Sequence, residues 1–148
     1  MKIQSRAGFG SLFRYISRGN RAQQQIPMTT PVYMGDSEGN ELLQFVLPKE
    51  FTPAITPASA DDRVEVFQAK PGFFLAKRFS GFTNPKKKEK NVRAIRSLAN
   101  LLGLNIIGEP IVLVYNSPYR LLFRKNEVIM EIEPALNLHQ NQELKTIA

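Results

Sequence analysis

Apolar residues at Phe9, Leu12, Phe13 and Ile16 keep the i, i+3, i+4, i+7 spacing of a helix with one buried face, and Gly19 and Asn20 supply a stop. The period then changes. Residues 28–34, MTTPVYM, bring β-branched and aromatic side chains. GDSEGN at 35–40 is turn chemistry and ELLQFVLP resumes an extended apolar run, so the pattern predicts a hairpin with a long loop. Pro31 confines its strand to a sheet edge or a bulge. Residues 48–62, PKEFTPAITPASADD, carry Pro48, Pro53 and Pro57 with no convincing period and read as an extended connector between two halves.

Beyond the connector, VEVFQA and FFLAKRF, joined by KPG, predict a second hairpin. The best helix in the sequence follows. Asn84 is placed to cap it, Pro85 suits its first position, Val92, Ile95, Leu98, Leu101 and Leu102 make the expected buried stripe, and Gly103 ends it. IVLVY, the turn NSPY and LLFRKNEVIMEI come next as strands. In the last, Val128, Met130 and Ile132 alternate with Glu127 and Glu131, as in a strand with one wet face. The second half therefore reads as a βαββ unit, and the first half as the same unit lacking its opening strand. Two such units packed together predict an antiparallel, barrel-like α+β domain with both helices outside and a cleft between helix and sheet. The domain is expected to span 1–133, with 134–148 as a C-terminal tail.

Composition narrows the chemistry. A chain of 148 residues suits one domain. Its longest apolar run, IVLVY, falls far short of the roughly 18 residues that a membrane span needs. The start has no apolar segment of secretory type, so a cytoplasmic location is expected. With no cysteine and a single histidine, His139, disulfides, thiolate metal sites and most zinc arrangements are excluded. The net charge of +7 points to anionic partners: a small molecule with carboxylates or phosphates, an acidic membrane surface, or nucleic acid.

IPMTTPVYM, preceded by LFRYISRGN and followed by FVLP, resembles the SOUL haem-binding protein family, in which a helix ending in Tyr-Ile-x-x-x-Asn leads into a Met-Thr-x-Pro-Val strand. FFLAKRFSG is similar to that family's strand ending in Phe-Ser-Gly, and RKNEVIMEI to its closing Arg-x-Asn-Glu-Val strand. The segments stand in the family's order from about Phe9 to Ile132. The resemblance implies duplicated βαββ units in a distorted antiparallel β-barrel with two helices, binding haem or a related tetrapyrrole without a covalent bond. It also implies a strand before the first helix. Met1–Ala7 looks too short for both a strand and a turn, so the first strand is expected to be missing: either the sequence starts late, or the open edge is covered by a second chain in a homodimer, the tail at 134–148 covering it in a monomer.

A haem is an apolar disc with two propionates and asks for apolar walls and a few cations. Arg6 and Arg14, eight residues apart, frame one groove if the helix reaches Arg6, being separated by about 80° in projection. By the resemblance, Arg6 and Arg14 fall on ligand-contact or basic positions of the first helix, Phe13 on an apolar contact between them, and Arg120 on a basic position before the last strand. Met28 lies in the segment expected to floor the pocket. No catalytic or metal-binding residue is assigned: Glu127 should face solvent or pair with Arg124 or Lys125, and His139 lies in the tail. A GyrI-like small-molecule domain, or an enzyme using the same cleft, is the alternative function. A nucleic-acid or anionic-membrane binding protein, resting on charge alone, is the second alternative. The Lys86–Lys90 run reads as a solvated cluster, and Phe73, Phe74, Phe79 and Phe82 read as core.

Overall fold

The computed structural model describes residues 1–116 and 122–134 of the chain. Seven strands and two helices follow in the order β1 (Lys2–Ser5), α1 (Phe9–Ile16), β2 (Val32–Ser37), β3 (Asn40–Val46), β4 (Glu65–Phe67), β5 (Phe73–Ser80), α2 (Pro85–Leu102), β6 (Ile111–Val114) and β7 (Lys125–Ile132). They form one sheet in the order β4-β1-β3-β2-β6-β7-β5, with every neighbouring pair antiparallel. The fold is α+β, as expected. No pairing among the described residues joins β4 to β5, so the sheet is open.

The first strand, expected to be missing, is present. Lys2–Ser5 pairs with β3 on one side and β4 on the other, with Ile3 and Ser5 buried. Three residues suffice to turn from β1 into α1. The Ala7 amide donates to Ser5 Oγ, and Gly8 takes φ 88°, a conformation open to glycine but costly for residues with a Cβ. The dimer expected from an unpaired first edge therefore loses its premise.

The predicted hairpin of VEVFQA with FFLAKRF is also corrected, because β4 and β5 are the two opposite edges of the sheet. Each strand pairs inside its own half, β4 with β1 and β5 with β7, since those pairings bury the inner side chains under the helix of that half.

The cores follow the same division. Ile3, Leu12, Tyr15, Ile16, Ile26 and Phe45 pack in the first half, while Ile95, Val112, Val128 and Met130 pack in the second. Met34 packs against both groups. The Tyr15 hydroxyl donates to the Pro57 carbonyl at 2.6 Å, and Asn20 Nδ2 donates to the Tyr15 and Gln24 carbonyls, tying the end of α1 to the connector. In α2, Asn84 accepts from the Lys87 amide, Pro85 occupies the first turn and Gly103 closes the helix at φ 66°. The buried stripe differs from expectation. Asn91, Ile95 and Ala99 face the core, whereas Leu98, Leu101 and Leu102 are exposed. Leu101 stands about 120° round the helix from Ile95 and faces solvent, whereas Leu102, only about 20° from Ile95, is exposed as the last residue of the helix.

Candidate functional site

The helices cover the outer strands only: α1 packs on β1 and β3, and α2 on β5 and β7. The central pair, β2 and β6, lies between them. Its register opposes Val32 to Val114 and Met34 to Val112, which puts these four side chains on the helix-bearing face as an apolar floor. Tyr33 and Leu113 take the opposite face by alternation.

One wall of this groove belongs to α1. The Phe9 ring meets the Phe45 ring edge-on at 5.3 Å, and Phe13 stacks on Phe9 at 5.9 Å. Phe45 pairs with Val32, so the aromatic flank of α1 borders the groove. Phe9 and Phe13 remain 42% and 49% exposed, an unusual expanse of ring for a helix this short. Met28, 46% exposed, lies in the segment that leads into β2. That segment is held where the Ile26 amide donates to the Ile16 carbonyl and the Thr29 hydroxyl donates to the Val46 carbonyl. β2 itself begins only at Val32, so Met28 precedes the floor rather than forming part of it. Towards β7 the Arg124 guanidinium lies 4.5 Å over the Phe82 ring, close to the start of α2.

The expected cations are placed differently from the aromatic flank. Arg6 is not on the helix, which starts at Phe9, so its eight-residue spacing from Arg14 has no helical meaning; Arg6 Nη2 donates to Ser37 Oγ at 2.9 Å. Arg14 follows Phe13 by one residue and therefore points about 100° further round, towards Asp61 at 3.9 Å. The two arginines line neighbouring clefts that share Asp62 and Arg63. Arg120 and His139 lie outside the described residues. Phe9 borders the groove without having been singled out as a ligand contact in the sequence. Phe9 showed in the helical stripe, but nothing local distinguishes a ring at a groove from one in the core.

Asp61 is held chiefly by Arg63, whose Nε and Nη2 bind its two oxygens at 2.9 and 2.8 Å and whose amide adds a third bond. These hydrogen bonds, with smaller help from the charges of Arg63 and Arg14, lower the Asp61 carboxyl from 3.8 to about 2. Because the folded value lies below the unfolded one, this contribution to stability is complete above about pH 4 and disappears as the pH falls towards 2. Asp61→Asn should lower the urea midpoint at pH 7, and the gap from the parent should close at pH 2. An equal gap at both values would show that the carboxylate charge is not what stabilises the turn.

Glu127 pairs with neither Arg124 nor Lys125. It accepts from Arg78 Nε at 2.9 Å and from the Tyr115 hydroxyl at 3.3 Å on the face away from the helices. The reason is register: Arg78 stands directly across from Glu127 on β5, while Arg124 falls on the other face. Burial and the Glu127 charge both raise the Tyr33 and Tyr115 hydroxyls above their ordinary value. Among the described residues no group of three or more His, Asp or Glu is placed to hold a metal.

The family model for the SOUL heme-binding protein matches residues 1–131. The chain belongs to the SOUL haem-binding family. No curated protein matches it. The family is named for binding haem. The SOUL chain offers a hydrophobic floor bordered on one side by the half-exposed rings of Phe9 and Phe13. Arg14 is mostly exposed and only loosely paired, so it remains able to turn towards an anion.

Proposed function

We propose that the protein binds haem or a related tetrapyrrole non-covalently in the groove over β2 and β6, as a carrier or buffer and without a catalytic step. The observation that carries this reading is the stacked, half-exposed Phe9–Phe13 pair beside the Val32–Val114 floor in a chain of the SOUL family. Rings left in water at the edge of an apolar floor gain about 25 cal/mol per Å² when a flat ligand covers them. Arg14, from the next flank of the helix, supplies a cation for a propionate. The matching order of β1-β3-β2 and β5-β7-β6 about the central pair supports reading the halves as copies of one βαββ unit.

Titration of the protein with hemin should give a saturable Soret shift, and metal-free protoporphyrin should bind almost as well, because the reading relies on ring burial and propionate contacts. Absence of any saturable shift would remove the proposal. Binding of hemin but not protoporphyrin would replace it with an iron-ligated site.

A further inference from the structure

α2 carries six basic residues, Lys86, Lys87, Lys88, Lys90, Arg93 and Arg96, against the single acid Glu89, so it accounts for five of the seven net positive charges of the chain. Its first turn holds no acid, although the helix N-terminus favours negative charge. Helix stability therefore does not explain the run. Lys86, Lys90, Arg93 and Ser97 recur at four- and three-residue steps and form one outward stripe within about 40° of the point opposite the buried Ile95, with Leu101 bordering it about 60° from that point. Among the described residues its only ion pair is the long, exposed Glu89–Arg93 contact at 3.7 Å.

The stripe ends in hydrocarbon. At the C-terminal end of the helix Leu101, at the border of the stripe, is 81% exposed; Leu102, on the Ile95 side, is 57% exposed because the helix ends there, and Leu98 is 44% exposed on the flank. The flank holding Ala99 and Arg96 borders Ile106 and Ile107, and Ile106 bridges to Ile132 on the side of β7 away from β5. Leu98 therefore lies on the other flank, towards the open edge formed by β5, where Phe73 is also half exposed.

We propose that α2 docks on an anionic lipid surface with its C-terminal end tilted inwards, the basic stripe lying over the headgroups and the exposed Leu98, Leu101 and Leu102 of that end entering the acyl boundary. Charge complementarity selects the partner. A second copy would bring one basic helix against another. Nucleic acid would leave the three leucines without use, since no aromatic ring on this stripe can stack on a base. A basic helix with aliphatic side chains at one end matches the chemistry of a bilayer interface. Among the described residues no helix is long and apolar enough to cross a membrane, so the contact is peripheral.

The test is sedimentation of the full-length protein with vesicles of phosphatidylcholine, with and without phosphatidylglycerol, at low and high salt. Binding is expected only with phosphatidylglycerol and should weaken as salt rises. Each basic residue near such a surface is worth about fivefold in partition. The triple variant Lys86→Gln, Lys90→Gln, Arg93→Gln should therefore lose on the order of a hundredfold, while its hemin titration stays unchanged. Leu101→Ser with Leu102→Ser, at exposed positions that leave folding intact, should cost about tenfold or more. The proposal is overturned by equal binding to neutral and anionic vesicles, or by no binding to either. Salt-sensitive binding that ignores the leucines would also overturn it. So would a concentration-dependent dimer, in ultracentrifugation without lipid, that the leucine pair abolishes.

Discussion

Phe13→Gln lowers hemin affinity by about tenfold or more while leaving the urea midpoint nearly unchanged. Covering a half-exposed phenylalanine with a flat ligand contributes on the order of 1.5 kcal/mol, which is about tenfold in Kd. Loss of the stack on Phe9 adds to that. Stability is spared because about half of the ring already faces water in the free protein and glutamine is a good helix former. Arg14→Ala should have the smaller effect, about two- to fivefold, because an exposed ion pair contributes at most about 1 kcal/mol. A larger loss from Arg14→Ala than from Phe13→Gln would mean that charge, not ring burial, dominates. No loss from either would move the ligand away from α1.

The second large effect is on stability. Ile3→Ala should cost about 2–5 kcal/mol, the range for removing a fully buried branched side chain, because Ile3 sits at zero exposure between Phe45 and Val66. Urea unfolding followed by circular dichroism measures it. A cost under about 1 kcal/mol would show that β1 contributes little to the first core and that β3 is able to serve as an edge.

What could be read in the sequence was what short-range chemistry determines. The cap at Asn84, the start at Pro85 and the stop at Gly103 depend on residues within one turn, and all three stand where expected. The alternation of Val128 and Met130 with Glu127 and Glu131 likewise fixed the two faces of β7. Strand partners were harder to read. KPG at 70–72 looked like a hairpin turn, yet β4 closes against β1 and β5 against β7, because long-range pairing follows which helix covers which strands. The four residues of β1 hold too few alternations to be recognised, and their turn depends on one glycine. Phe13 was singled out by the family resemblance, whereas the helical period alone put it in the buried stripe, and it stands 49% exposed. The Phe82–Arg124 contact was not legible, since it forms only where the start of β7 and the approach to α2 meet. Arg6 was assigned to a helix that begins three residues later.

The halves of the sheet meet through three residue pairs, Val32 with Val114, Tyr33 with Leu113 and Met34 with Val112. Side chains alternate across a strand, so a slip of one residue at this seam would exchange Val32 and Met34 for Tyr33 and Gly35 above the sheet. The oily bed would then acquire a phenol and a gap, and Met34 would no longer key the two cores together. The chemical character of the groove is thus encoded less in which residues β2 contains than in the phase at which it locks against β6.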